Sequence, residues 1–278
     1  LSFRIVYSKI EEKKTVQTMD SVMPLLFIGH GSPMNAIEVN AFTRMLQALG
    51  SRIPRPRLIV VISAHWVTGG TFVNGLEHPQ QIYDFYGFPD DLYHVKYPAK
   101  GSPQDARRII ELGKNIPITE DDTWGIDHGS WTILRHIYPD AAIPVLQISL
   151  DRQKNGDQHR EVAQALSSLR KEGVLIIGSG NIVHNLSLVS FDKDDNQSFS
   201  WAKGFDQRVK ECLLKKDDAQ LQEFLLRKDR ESRLSLPTIE HYLPMLYIEA
   251  LREENETIEF LYESVENKSI SMRSFMVR

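Results

Sequence analysis

Cysteine is nearly absent. Cys212 stands alone among 278 residues, which excludes an intrachain disulfide and any metal site built on several thiolates. That usage fits a reducing cytoplasm. No apolar run reaches the roughly 20 residues a membrane-crossing helix requires, so no membrane partner is expected. Charge of one sign is not in excess either: 33 Lys and Arg stand against 37 Asp and Glu, a formal net charge of -4. Such a balance supplies no field for drawing in nucleic acid or an anionic membrane. Internal repeats and low-complexity tracts are also missing. The remainder, 41% apolar and 25% charged, is ordinary for a globular protein whose partner is a small molecule. Leu1–Val22 carry Lys9, Glu11, Glu12, Lys13 and Lys14 without a long apolar segment, and read as an N-terminal extension or leader. A single domain over residues 23–278 is expected.

Short, continuous apolar runs at Leu25–Ile28, Leu58–Ser63, Ile143–Leu150 and Val174–Ile177 have the pattern of strands buried on both faces. Amphipathic stretches at Ala41–Leu49, Pro103–Leu112, Ser130–Ile137 and His159–Arg170 lie among them. Phe199–Leu214, Ala219–Leu226 and Thr238–Leu251 read as helical after the last run. The alternation predicts an α/β fold, a central mostly parallel or mixed sheet with helices on both faces. Gly69–Gly101 is long, irregular and aromatic, the pattern of a functional loop, and Phe191–Ser198 reads as a surface loop.

Three of the nine histidines fall just past carboxyl ends of expected strands: His30 between two glycines, His65 in Ser63-Ala-His-Trp66, and His184 in Gly178-Ser-Gly-Asn-Ile-Val-His-Asn185. In open α/β sheets that edge gathers loops from distant parts of the chain and binds ligands. His241, in Pro237-Thr-Ile-Glu-His-Tyr-Leu-Pro244, is assigned to the first turn of a helix beside Glu240. An imidazole flanked by two residues without side chains has no packing reason to be there; a metal or substrate atom could use the room. Neutral imidazoles converging without thiolates suit a divalent zinc or iron. His78, His94, His136 and His159 read as structural or solvated, the usual fate of a lone histidine.

Two glycine pairs, Gly29–Gly31 and Gly178–Gly180, imitate half of a dinucleotide fingerprint, but Met34 and Val183 occupy the third glycine position. Ser32 lacks the elbow pattern of a hydrolase nucleophile and reads as a backbone-shaping residue beside Pro33. In Asp127-His-Gly-Ser-Trp131, Asp127 or Ser130 can cap the following helix, while His128 can face the same rim as the other histidines.

Taken with Gly29-His-Gly-Ser-Pro-Met34 and Asp84-Phe-Tyr-Gly-Phe-Pro89, these motifs resemble the class III, LigB-like extradiol ring-cleavage dioxygenases. The likeness is greatest to the bacterial and plant DOPA 4,5-dioxygenase branch, and it spans nearly all of the chain from Met23 onward. The resemblance implies 4,5-cleavage of a DOPA-like catechol with O2 to a semialdehyde, using a non-haem metal. It implies His30, His65 and His241 as ligands, and His184 as a fourth ligand or the catalytic acid/base. His128 would contact substrate or oxygen. The wider family uses two histidines and a carboxylate, so Glu240 is the fallback for His241; neighbours on a helix point about 100° apart, and usually only one faces the metal.

Iron(II) suits turnover, because a chelating catechol and O2 both need open positions, while zinc is an ion the purified protein can carry. Trp66, Tyr83, Phe85, Tyr86, Phe88 and Trp131 are candidates to line an apolar slot for the ring. Two other functions use the same histidines: a zinc hydrolase in which His184 shuttles the proton, and a non-catalytic metal-dependent binding module.

Overall fold

The computed structural model describes residues 22–190 and 197–278. The expected extension before Val22 and the loop residues 191–196 lie outside them. Among the described residues the strands are β1 Leu25–Gly29, β2 Leu58–Thr68, β3 Thr71–Asn74, β4 Ile118–Asp121, β5 Val145–Asp151, β6 Val174–Gly180, β7 Ile258–Tyr262, β8 Val265–Glu266, β9 Ile270–Ser271 and β10 Ser274–Val277. The helices are α1 Ala41–Leu49, α2 Asp90–His94, α3 Pro103–Leu112, α4 His128–Ile137, α5 Gly156–Ala165, α6 Ser200–Lys215, α7 Asp218–Glu223, α8 Arg230–Ser235 and α9 Leu243–Leu251.

One sheet of eight strands runs in the order β4-β3-β5-β2-β6-β1-β10-β7, and β8 pairs with β9 separately. Its centre is parallel: β5, β2, β6 and β1 all point the same way. The flanks make it mixed, because β10 runs antiparallel to both β1 and β7, and β3 antiparallel to β5. Successive side chains of a strand point to opposite faces. Leu25 and Phe27 therefore join a core built with α3, α5, α6 and α9, while Leu26 and Ile28 pack with α1 and α4 on the other side. Each such aliphatic or aromatic side chain stabilises the fold by roughly 1.5–3 kcal/mol. Both faces are thus covered, as the unbroken apolar runs require.

Local chemistry sets the helix starts that matter here. Asn40 caps α1 in a reciprocal capping box with Thr43. Asp127 caps α4 by accepting from the Ser130 amide at 3.2 Å, so the cap expected from Asp127-His-Gly-Ser130 forms and fixes where His128 begins the helix.

The structure departs from expectation at several places. β2 does not stop at Ser63 but continues to Thr68, with an irregularity: Ile62 pairs with Ile148 and Val67 with Leu150, so Ser63–Trp66 bulge opposite Ser149 alone. The stretch Thr238–Tyr242 is a turn, and α9 starts only at Leu243, where Pro244 occupies the first turn. The expected helix His159–Arg170 is α5 followed by a 3-10 segment, Ser167–Glu172. Finally, β3, β4 and the C-terminal strands enlarge the sheet beyond its four expected members.

Register carries the site. Ile28 lies abreast of Ser179 on β6, and Ser179 abreast of Ser63 on β2. Two residues further along come His30, just past the end of β1, and His65, inside the bulge of β2. Their strands are separated only by β6, about 10 Å in all, a gap that two imidazoles can close from opposite sides.

Candidate metal centre and active site

His30 follows β1 directly and is buried. Its neighbouring glycines are explained by packing rather than by room for a ligand. A Cβ on Gly29 would stand 2.8 Å from the Met272 carbonyl carbon, and one on Gly31 2.4 Å from Met272 Sδ. Gly31 also has a φ of +61, in the left-handed region. The C-terminal segment lies over both residues, so the vacancy inferred from the sequence is filled by protein.

His65 lies within β2, inside the bulge, and not beyond the strand end. A bulge re-aims side chains beside active sites, and here it turns His65 toward the rim. The outcome is a 3.1 Å separation between His65 Nε2 and His30 Nε2. Two donors about 2.1 Å from one ion and roughly 95° apart would stand about that far from each other. One nitrogen from each of His30, His65 and His128 lies within 4.8 Å of the other two. The His241 ring centre is 5.5 Å from that of His30 and 5.1 Å from that of His65. Its Nε2 is buried with no hydrogen-bond partner among the described residues, the condition of an atom awaiting a ligand bond. These residues fit a metal ion.

The other ring nitrogens are held from outside. His30 Nδ1 is 2.9 Å from Ser179 Oγ, which donates onward to the Gly129 carbonyl at 2.5 Å. His65 Nδ1 lies 3.2 Å from Asp84 Oδ2. His241 Nδ1 lies 3.3 Å from Glu240 Oε1, which also accepts from the Thr238 hydroxyl at 2.6 Å. Partners of this kind fix tautomer and ring orientation, leaving Nε2 free to bind. Asp84 was not among the expected site residues. It reaches His128 as well, at 2.9 Å from Nδ1 and 3.0 Å from the backbone amide, and so ties two imidazoles together. The signal available for it was an acid at the head of the aromatic Asp84–Pro89 run.

His184 stacks face to face on His241, ring centres 3.5 Å apart and planes 8° from parallel. Its segment is tied down: the Asn181 amide donates to the His241 carbonyl at 2.8 Å and the His184 amide to Ser235 at 3.0 Å. Gly180 allows that approach, since a Cβ there would lie 2.2 Å from the His241 carbonyl oxygen. The glycines that imitate a nucleotide motif are therefore packing devices.

Burial dominates the electrostatics. It holds His30 and His241 well below the ordinary imidazole value, reinforced by the neighbouring histidines. Burial, with His128 beside it, takes His65 down to about 3, against the opposing pull of Asp84. His184 is lowered to about 4 by burial. Burial alone would raise the Asp84 carboxyl, but hydrogen bonds and charge from His128 and His65 outweigh it and keep the group below its usual range. Asp127, fully buried and near Asp84, is pushed up to about 6. At neutral pH His30, His65, His184 and His241 are uncharged, the form that binds metal.

The cluster forms the floor of a cavity of about 690 Å³. Phe85, Tyr86 and Phe88 line it, all from the long irregular segment expected to be functional. Tyr83 and Trp131 pack behind Phe85 at ring-centre distances of 6.0 and 6.2 Å. Trp66 is not part of the wall: neighbouring strand residues point to opposite sides, and it stacks on Trp124 at 5.5 Å. His78 and His94 are exposed, His136 bonds the Asn35 carbonyl, and His159 bonds the Tyr247 hydroxyl, all apart from the cluster.

Comparison with known proteins defines the class to which this fold and histidine cluster belong. Residues 24–271 match the family model for the catalytic LigB subunit of aromatic ring-opening dioxygenase. The chain belongs to that family and is an extradiol ring-cleaving dioxygenase. Among its relatives, a 4,5-DOPA dioxygenase extradiol of Escherichia coli K12 is 46% identical over 257 residues, 92% of this chain and 94% of the relative. The 4,5-DOPA dioxygenase extradiol of Beta vulgaris is 35% identical, over 92% of this chain and 97% of its own. The crystal structure of an uncharacterized Escherichia coli K12 protein superposes with a TM-score of 0.80 at 42% identity, covering 91% of this chain and 99% of that one.

Proposed function

We propose that this dioxygenase opens a DOPA-like catechol at the 4,5 bond with O2, giving a semialdehyde, with His30, His65 and His241 as the metal ligands. The observation that carries the assignment is the shared arrangement of those three rings. His30 and His65 bring their Nε2 atoms within 3.1 Å of each other, and His241 adds a buried Nε2 with no hydrogen-bond partner among the described residues, while Ser179, Asp84 and Glu240 stand at the three Nδ1 atoms. Glu240 acts as an orienting carboxylate: its Oε1 accepts from Thr238 and meets His241 Nδ1, on the side of that imidazole away from Nε2.

Bound there, iron(II) would supply the redox chemistry that lets O2 react with a catecholate, which zinc does not. The rest falls to the chain. Phe85 and Phe88 give the ring an apolar wall and help exclude water from it. His128, in edge contact with Phe85 at 5.4 Å and held by Asp84, is positioned to meet substrate or oxygen above that wall. His184 is the acid/base. No hydrogen bond to its ring occurs among the described residues, and its lowered pKa keeps it neutral and able to accept a catechol proton. Negative charge arriving on the substrate would raise that pKa and strengthen the base. The same ring, stacked on His241, is close enough to the cluster to serve as a fourth ligand when substrate is absent.

The chain's one cysteine, buried Cys212, fits a reducing cytoplasm as its compartment, and no helix among the described residues is long and apolar enough to cross a membrane. The test is anaerobic loading with iron(II), addition of DOPA, then air. Oxygen uptake with a yellow semialdehyde product is expected. Turnover with zinc alone and no oxygen uptake would refute the assignment in favour of hydrolysis.

A further inference from the structure

The walls of the cavity are uneven in charge. Among the described residues lining it there is no lysine or arginine, while two carboxylates, Asp84 and Glu240, face it. Asp84 is matched, because His65 and His128 sit 3.2 and 2.9 Å from its two oxygens. Glu240 is not matched. Its Oε1 takes Thr238 and His241, but among the described residues no hydrogen bond or ion pair reaches Oε2, and its side chain is 28% exposed. The other polar side chains at the mouth, Ser32, Ser187, Thr238 and Asn267, are neutral.

Resting on the catechol reading above, we propose that Glu240 is a specificity-determining residue that receives the ammonium of an alkylamine side chain on the catechol ring, so that the site selects amine-bearing catechols over acid-bearing ones. The physical reason is one of pairing. A cationic substituent donates a charge-assisted hydrogen bond to a carboxylate oxygen of a cavity-lining residue that lacks a donor. An anionic substituent meets a carboxylate of like charge and only neutral donors, at a part-buried site where repulsion is less screened than in water. Glu240 is one residue from His241, and its Oε1 lies on the opposite side of that imidazole from Nε2. Glu240 nevertheless lines the same cavity as the cluster, Phe85 and Phe88, so a ring held at the cluster and a short side chain on it share that chamber with the carboxylate. A zwitterionic side chain such as that of DOPA would use its ammonium there and turn its carboxylate toward the open mouth.

The test compares dopamine, 4-methylcatechol and 3,4-dihydroxyphenylacetate, which share the ring and differ in side-chain charge. Binding is read first, by calorimetry on the zinc-loaded protein, and turnover second, on the iron-loaded protein in air. Dopamine should bind about tenfold more tightly than 4-methylcatechol, and the acid more weakly than either, an effect of the size expected for one charge-assisted contact at a part-exposed position. Glu240→Gln should erase the dopamine advantage over 4-methylcatechol, and Glu240→Asp, which keeps the charge, should preserve the order. Taking the ratio between substrates removes any effect of the variant on His241 or the metal, since both ligands need the same floor. Equal affinity for the three compounds, or a dopamine preference that survives in Glu240→Gln, would overturn the proposal. If none is cleaved by the iron-loaded protein, ring opening of catechols fails, while the zinc-loaded affinities still decide the role of Glu240.

Discussion

Replacing Asp84 with asparagine should cost about 10–100-fold in metal affinity while leaving the fold intact, the usual effect of removing an outer partner of a ligand histidine. The structure supplies the mechanism. Three nitrogens crowd the carboxylate: it accepts from His128 N at 3.0 Å, and His128 Nδ1 and His65 Nδ1 stand 2.9 and 3.2 Å from its two oxygens. An amide keeps only one acceptor oxygen. If that oxygen stays with the two His128 donors, the NH2 group faces His65 Nδ1, which must then accept. The His65 proton moves to Nε2, the atom 3.1 Å from His30 Nε2, and a protonated nitrogen cannot be a ligand. The predicted loss corresponds to about 1.4–2.7 kcal/mol of binding. It is measured by equilibrating zinc between the apoprotein and a chromophoric chelator, with circular dichroism to confirm folding and nitrogen chemical shifts to report the His65 tautomer. Zinc affinity within about threefold of wild type, or an unchanged tautomer, would refute the reasoning.

Other perturbations probe different layers. His184→Ala should retain metal by elemental analysis yet lose at least about 100-fold in turnover, the scale of a missing acid/base; loss of all metal would make His184 an obligatory ligand. Gly129→Ala should weaken zinc binding about tenfold, because its Cβ would lie 2.9 Å from both His65 Cδ2 and Ser63 Oγ and would displace the ligand ring; an unchanged affinity would show that the ring has room to spare. Stability should also depend on Glu249, whose carboxyl is pushed up to about 7 by burial despite Arg252 at 3.1 Å. The folded state holds that proton while the unfolded chain, with a carboxyl near 4.5, has lost it, so this group costs nothing below pH 4.5, and its cost grows as pH rises to 7. Glu249→Gln should therefore stabilise the protein above pH 7 by up to about 3 kcal/mol, and denaturant titrations at pH 5 and 8 that give the same difference would reject this account.

Much of this architecture can be read in the chain because the central strands are buried on both faces. Runs such as Leu58-Ile-Val-Val-Ile-Ser63 have few alternatives, and α1 and α3 have the bounds that their caps and periodicity dictate. The flanking strands are less legible for the opposite reason. β7 is half-buried along its whole length, and β10 has only four residues, too few for an alternation to stand out. The bulge in β2 arises from pairing with β5, more than eighty residues further along the chain, and no local signal marks it. The same limit governs the site. Expected strand ends were enough to group His30, His65 and His184, although β2 runs on past His65 to Thr68, whereas the role of Asp84 depends on a loop folding back over two histidines. Trp66 was misassigned because an aromatic beside a site histidine looks like a wall, yet the pleat sends it the other way.

The C-terminal segment that covers Gly29 and Gly31 also has a bearing on biogenesis. During synthesis the first histidine leaves the ribosome long before Met272, the residue that will roof its loop. A nascent chain can therefore complete most of its sheet while the earliest ligand still lacks its cover. Durable metal capture is then an event of the finished polypeptide, and products of premature termination should be poor competitors for a divalent metal.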